Sequence, residues 1–284
     1  MEEVLDENKL KALVSLLSDE DAEILNHVQE KILSLDAETI IPFLENEWES
    51  NFNPEVQRRI EILIHSLQFE TLKKRLLAWK MTNQQDLMEG IWLIATYQYP
   101  DLELSKLKAE LETIFYEVWL EMQNEFSPSD TIKLLNNLFF GKLKFAPNSK
   151  NFHSPGNSMI NVVLETRKGN PISLCVIYMM IAQKLKLPVY GVNLPNLFIL
   201  TYKSPEHTFY INVFNKGLIF SKSDIDNYIA QLNISPQPTF YDPCQNIDIL
   251  VRMLRNLIVA FEKNGEKEKV EEVNELLEVL INSQ

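Results

Sequence analysis

Gly169-Asn170-Pro171-Ile172-Ser173-Leu174-Cys175-Val176-Ile177-Tyr178-Met179-Met180-Ile181-Ala182-Gln183-Lys184, followed by Leu187-Pro188-Val189-Tyr190-Gly191-Val192-Asn193-Leu194-Pro195, decides the fold. An asparagine caps a helix by accepting a free backbone N–H, and a proline directly after it suits the first helical turn. The apolar run then predicts a helix from Asn170-Pro171 to about Lys186. Beyond Pro188 the pattern changes to that of strands, at 189–193, 197–202 and 209–214. The turn Asn215-Lys216-Gly217 leads to Leu218–Phe220, so the last two strands should form a hairpin. Ser223-Asp224 then caps a short helix to Leu232. This middle region reads as one helix against an antiparallel sheet.

Glycine and proline mark how far that region extends. The first 140 residues hold one glycine, Gly90, whereas five of the seven glycines fall in 141–217 and nine of the thirteen prolines in 147–243. These residues punctuate turns and avoid helix interiors, so the chain reads as helical, then mixed, then helical. The expected class is α+β and mostly helical. The expected parts are 1–126, a HEAT-like helical region; 127–245, the helix-and-sheet domain; and 246–284, a tetratricopeptide-like helix pair. In the first part Ser18-Asp19 starts a helix with Ile24, Leu25, Val28, Ile32 and Leu33 on one face, and Ile40, Ile41, Leu44 and Trp48 mark a second. Asn53-Pro54 starts a third, with a return helix through Leu72, Leu76 and Leu77, and Asn83 begins a further unit. Starts at 19, 53 and 83 lie 34 and 30 residues apart, the spacing of stacked helix pairs. Ser127-Pro128-Ser129-Asp130 is a break and a cap, the helix after it ends at Gly141, and 145–158 reads as loop. At the far end, helices run over about 247–263 and on to about Ile281, separated by Asn264-Gly265.

Charge narrows the function. With 27 Lys and Arg against 40 Asp and Glu the formal net charge is −13, which argues against nucleic acid and anionic membrane surfaces as partners and disfavours acidic partners. The uncharged apolar runs 171–183 and 187–202 are too short for a membrane span. The acidic start Met1-Glu2-Glu3-Val4 lacks the basic segment of a signal peptide. Two cysteines exclude a disulfide-rich scaffold, and a cytoplasmic location is expected.

Asn157-Ser158, Asn161-Val162-Val163-Leu164-Glu165-Thr166-Arg167-Lys168-Gly169-Asn170-Pro171-Ile172-Ser173-Leu174 and Leu187-Pro188-Val189-Tyr190-Gly191-Val192-Asn193-Leu194-Pro195 together resemble the SirB-type family of the transglutaminase-like superfamily. Phe209-Tyr210-Ile211-Asn212-Val213-Phe214-Asn215-Lys216-Gly217 and Phe240-Tyr241-Asp242-Pro243-Cys244 extend the likeness over about residues 130–280. The resemblance implies a papain-related α+β fold. It also implies a Cys–His–Asp triad: a thiolate at a helix start, an imidazole to shuttle its proton and a carboxylate to orient the imidazole. Here the first turn after Asn170 holds Pro171, Ile172 and Ser173 and no cysteine; Leu197 stands at the histidine position and Asn212 at the aspartate position. Cys175 falls deeper in the helix among Leu174, Val176 and Ile177, which predicts a buried, unreactive thiol.

No catalytic residue is therefore expected. The alternative is a cysteine hydrolase or acyltransferase using Cys175 with a substitute histidine, His153 in the loop or His207 in a hairpin turn. His27 and His65 sit in the N-terminal helices. No spacing of His, Cys, Asp and Glu reads as a metal site, and no glycine loop reads as a phosphate cradle, so no cofactor is expected. What the motif frame keeps is polar: Asn157, Asn161, Glu165, Arg167, Asn170, Ser173, Asn193, Asn196 and Asn212. These are the candidate cleft-binding residues, though buried polar groups usually satisfy one another and hold a scaffold. The expected role is a non-catalytic, protein- or peptide-binding module, regulatory or scaffolding.

Overall fold

The computed structural model describes residues 7–122 and 127–282. The chain divides into two compact units, Met1–Arg75 and Leu76–Gln284.

The first unit is helical: α1 (Glu7–Ser15), α2 (Ala22–Leu33), α3 (Ala37–Ser50) and the beginning of α4 (Pro54–Thr82). Asp21 caps α2, accepting from Glu23 N at 2.8 Å, and Asp36 caps α3, accepting from Thr39 N at 3.0 Å. The start expected at Ser18-Asp19 thus moves on to Asp21. Leu10, Val14, Leu17, Val28, Ile32, Ile40, Leu44, Val56, Ile60, Leu63 and Leu67 form the core of this unit.

α4 corrects the expected helix pair. It runs unbroken for 29 residues, and Leu72, Leu76 and Leu77 lie in its second half instead of on a return helix. No proline or glycine falls inside it to end it. Its buried positions step through 56, 60, 63 and 67 and then through 72, 76 and 79, a stripe that shifts phase midway. The phase shift looks like a helix boundary in the sequence; here it marks a helix that changes its buried face.

The second unit opens with α5 (Leu87–Thr96) and α6 (Leu104–Trp119), the first capped by Asp86 rather than starting at Asn83. α7 (Pro128–Asn136) begins at Ser127, whose Oγ accepts from Asp130 N at 3.3 Å, and runs into a π-helical turn, Asn137–Lys142. β1 (Ala146–Pro147) pairs in parallel with β2 (Lys168–Gly169), and α8 (Ile160–Thr166) lies between them in sequence. α9 (Pro171–Lys184) follows, buried on nearly every side.

Next comes an antiparallel meander: β3 (Val189–Leu194), β4 (Leu197–Lys203), β5 (Thr208–Asn212) and β6 (Leu218–Phe220). Its register pairs Leu194 with Leu197, Leu200 with Ile211 and Ile211 with Ile219, so the expected last hairpin is present. Strand alternation sends the two faces to different partners. Val192, Leu194, Leu197, Ile199 and Tyr210 pack with Ile225 and Ile229 of α10 (Lys222–Gln231), while α9 lies against β3 and β4. The sheet is thus a middle layer. α10 is capped by Ser221 with Asp224, two residues earlier than expected.

α11 (Asn246–Asn264) and α12 (Lys267–Ile281) close the chain, with Gly265 in the left-handed conformation between them. They do not stand apart. Asn246 Nδ2 donates to Gln84 O at 2.9 Å, Lys80 Nζ donates to Val279 O at 3.0 Å, and Leu250 lies close over Gly90. The architecture is α+β and mostly helical, as the sequence predicts.

Candidate functional site

The start of α9 is sealed inside the protein. Asn170 Oδ1 accepts from Ser173 N at 3.0 Å and Ser173 Oγ accepts from Asn170 N at 3.1 Å, a reciprocal capping box. Ser173 Oγ also donates to Asn170 O at 3.2 Å, so its proton and a lone pair are both engaged. Asn170 Nδ2 reaches across to Ser158 Oγ at 2.9 Å. Asn157, beside Ser158, accepts from Asn148 Nδ2 at 2.8 Å and donates to Asn151 O at 2.7 Å and Phe152 O at 2.9 Å. Asn157, Ser158, Asn170 and Ser173 are all buried. Satisfied polar networks of this kind fix a loop to a helix at the cost of being intolerant to deletion. Here the helix N-terminus that could stabilise an anion is occupied by the chain's own groups.

Cys175 follows two residues later and is fully buried, with Sγ–H directed at Phe198 O at 3.6 Å. Burial pushes its thiol far above the ordinary value, and a backbone hydrogen bond from Val213 opposes this only in part. Cys244 donates its backbone N–H to Gly191 O at 2.8 Å, and burial, then the charge of Asp248, pushes its thiol up to about 12. Both cysteines are free.

Leu197 packs in the apolar cluster on the α10 side of the sheet, the face turned from α9. Asn212 Oδ1 accepts from Asn215 N at 3.0 Å, closing the turn after β5. The His153 ring stands edge-on to Phe152 at 5.2 Å, and Phe152 edge-on to Phe214 at 6.1 Å. His207 is exposed in the β4–β5 turn, where its backbone N donates to Ser204 Oγ at 3.1 Å. Among the described residues, neither imidazole hydrogen-bonds to a thiol or hydroxyl side chain.

The other candidates scatter. Arg167 closes α8 with φ 57°, its guanidinium 5.0 Å from the Phe145 ring and its Nη1 3.8 Å from Glu110 Oε1. Its carbonyl accepts from Ala146 N at 2.8 Å, which starts the β1–β2 pairing. Glu165 is exposed and does not meet it. Asn161 Oδ1 is buried and makes no hydrogen bond to a described residue. Asn193 Oδ1 accepts from Arg252 Nη1 at 3.2 Å, and Asn196 sits exposed at the β3–β4 turn with φ 58°. The structure therefore joins Asn170 and Ser173 in one network with Ser158, ties Asn157 into the loop before it, and leaves Glu165, Arg167, Asn193, Asn196 and Asn212 with separate tasks.

The sequence reading missed Ser158 as the partner of Asn170 and missed Arg252 altogether. A signal for Arg252 existed: it interrupts the α11 stripe of Ile249, Leu250 and Met253. It also missed Asn136, which accepts from Tyr178 Oη at 2.8 Å and donates to Gly217 O at 2.8 Å. That bridge ties α7 to α9 and to the β5–β6 connection. Among the described residues no three His, Cys, Asp or Glu could hold a metal ion together, and no helix is long and apolar enough to cross a membrane.

A helix start packed behind a meander, with the polar loop before it, is the arrangement the motif frame implies. The sequence profile of the transglutaminase-like superfamily matches residues 105–255. The chain belongs to that superfamily. Curated proteins named only as UPF0162 are similar to it. One, from Xylella fastidiosa strain Temecula1, is 31% identical over 188 residues, 60% of this chain and 63% of that relative. Another, from Buchnera aphidicola, is 29% identical over 196 residues, 67% of this chain and 72% of the relative. Human F-box only protein 21 is 27% identical over 145 residues, 48% of this chain but only 23% of its own length. The chain thus spans about 63% of the length of the Xylella relative. No solved structure matches.

Proposed function

We propose that this transglutaminase-like protein is non-catalytic and acts as a protein-binding, regulatory or scaffolding module. The observation that carries the reading is Cys175: fully buried, its thiol raised, its proton directed at a backbone carbonyl. A cysteine nucleophile needs a thiolate within reach of a base and open to substrate, and here each need goes unmet. Leu197, on the far side of the sheet, supplies no base. The match to F-box only protein 21 supports the module reading, since the matched segment is 23% of that longer protein. We assign the chain to the SirB-type branch on the Arg167-Lys168-Gly169-Asn170-Pro171-Ile172-Ser173-Leu174 string. A cytoplasmic site of action, a HEAT-like role for the N-terminal helices and a tetratricopeptide-like role for α11 and α12 belong to the same proposal.

Iodoacetamide labelling of the native chain from pH 5 to 9, read by mass spectrometry, tests it. The expected result is that Cys175 labels only on unfolding. Fast native labelling of Cys175 with an apparent pKa below the free-thiol value of about 8.5 would overturn the reading in favour of the hydrolase or acyltransferase alternative.

A further inference from the structure

Six arginines serve a chain that carries 40 carboxylates. Arg58 and Arg59 pair with Glu55, Arg75 with Glu38 and Arg167 with Glu110. Arg252 and Arg255 differ: among the described residues no carboxylate lies within ion-pair distance of either. They stand three residues apart on α11, so one helix face presents both guanidiniums. Asp248, one turn before Arg252, is turned back to the helix start, where it accepts from Gln245 N at 2.9 Å.

Arg252 makes its hydrogen bonds to neutral acceptors instead. Its Nη1 lies 3.2 Å from Asn193 Oδ1 and 3.3 Å from Leu194 O, beside the turn where Tyr228 Oη donates to Pro195 O at 2.8 Å. These bonds hold the guanidinium in place at the end of the β3–β4 hairpin. Its Nε and Nη2 make no hydrogen bond to a described residue, and Arg255 is exposed. Burial, and then the charge of Arg255, disfavour the charged form of Arg252. Val259, one turn beyond Arg255, adds an apolar side chain 42% exposed on the same face.

Two like charges held side by side, one of them oriented by neutral groups, are complementary to a carboxylate pair. Planar guanidiniums bind carboxylates through paired, charge-assisted hydrogen bonds. We infer that the α11 face of Arg252, Arg255 and Val259 docks an acidic peptide segment, with carboxylates on the arginines and an apolar residue against Val259. The inference rests on the binding-module reading and supplies the partner's chemistry. It reverses locally what the net charge of −13 implies globally. The surrounding negative field would repel acidic chains that lack the matching geometry, which makes the site selective.

The test uses the full chain and a rhodamine-labelled pentapeptide, Asp-Glu-Leu-Glu-Asp, followed by anisotropy at about 50 mM and 300 mM salt. The amide counterpart Asn-Gln-Leu-Gln-Asn and inorganic phosphate serve as competitors. The acidic peptide should bind, weaken with salt and exceed its amide counterpart at least about tenfold, the scale of one charge-assisted hydrogen bond. Arg255→Gln, a surface change that leaves the hairpin contacts intact, should weaken binding at least about fivefold, and Arg252→Gln more. Four results overturn the inference: no binding up to about 1 mM, equal binding of the amide peptide, no effect of Arg255→Gln, or displacement by phosphate at peptide-like concentrations. Cys175 labelling decides the non-catalytic reading separately. An acidic peptide that fails on a protein whose Cys175 is sealed therefore defeats only this inference.

Discussion

Replacing Asn170 with alanine asks whether the start of α9 is a closed joint or an open cleft. The substitution removes the acceptor for Ser173 N and the donor to Ser158 Oγ. Losing an N-cap side chain costs about 0.5–2 kcal/mol. Leaving a buried partner unsatisfied adds about 1–3 kcal/mol, and Ser158 is 2% exposed. Asn170→Ala should therefore destabilise by about 2–4 kcal/mol, a large part of the roughly 5–15 kcal/mol that holds a domain together. Ser127→Ala is the control. Ser127 caps α7 in the same way but is exposed, so water can replace it, and the cost should stay near about 1 kcal/mol or less. Urea titration followed by tryptophan emission reads both as midpoint shifts, provided the slope is unchanged. A Ser158→Ala, Asn170→Ala cycle isolates the pair and should return a coupling of about 1 kcal/mol. If Asn170→Ala costs no more than Ser127→Ala, solvent reaches the cap, and the joint is an open cleft after all.

Three further outcomes follow from the same geometry. Cys244, its thiol pushed up to about 12, should alkylate natively about a thousandfold more slowly at pH 8.5 than a free thiol, with the rate still rising beyond pH 9 because the thiolate is the reacting form; a plateau near pH 9 in mass-spectrometric labelling would refute this. Gly217→Ala should cost about 2–4 kcal/mol in urea, since a Cβ there would stand 2.0 Å from Asn136 Oδ1 at φ +73°, whereas Gly265→Ala, at φ +78° with nothing within 4 Å, should cost only about 1 kcal/mol. Leu197→His with Asn212→Asp restores two of the family's triad positions yet should give no hydrolysis of p-nitrophenyl acetate or peptide amides above the parent, because Leu197 lies on the sheet face opposite α9; measurable turnover would show the imidazole reaching Cys175.

The sheet and its central helix were legible because their signals are local. Asn170-Pro171 is a cap followed by a first-turn proline, and β3 to β6 came within two residues of their observed limits because period-two alternation and turn residues need no tertiary information. α4 was misread for the opposite reason. The phase of an apolar stripe records what a helix packs against, and Leu67 and Leu72 fall on different buried stripes with no break in the backbone between them. The π-helical turn over Asn137–Lys142 had no local signal; within it Phe139 stacks on Phe145 at 4.4 Å, a contact made by tertiary packing. At the site, Cys175 was readable as a core residue from its apolar neighbours. Which partner each asparagine would take was not: Asn170 reaches Ser158 and Asn157 holds the loop of Asn148, Asn151 and Phe152, while Asn193 turns to an arginine nearly 60 residues on.

The two sequestered thiols also set how this chain meets oxidants. Oxidation of cysteine begins from the thiolate, whether the product is a sulfenic acid, a mixed disulfide or a cross-linked dimer. Cys175 is shut in and Cys244 holds its proton up to about pH 12, so both are kept off the first rung. Since both are free, no covalent bridge props up the fold either. The thiols should survive glutathione disulfide and storage without reductant, and the fold does not depend on the redox state of a cysteine.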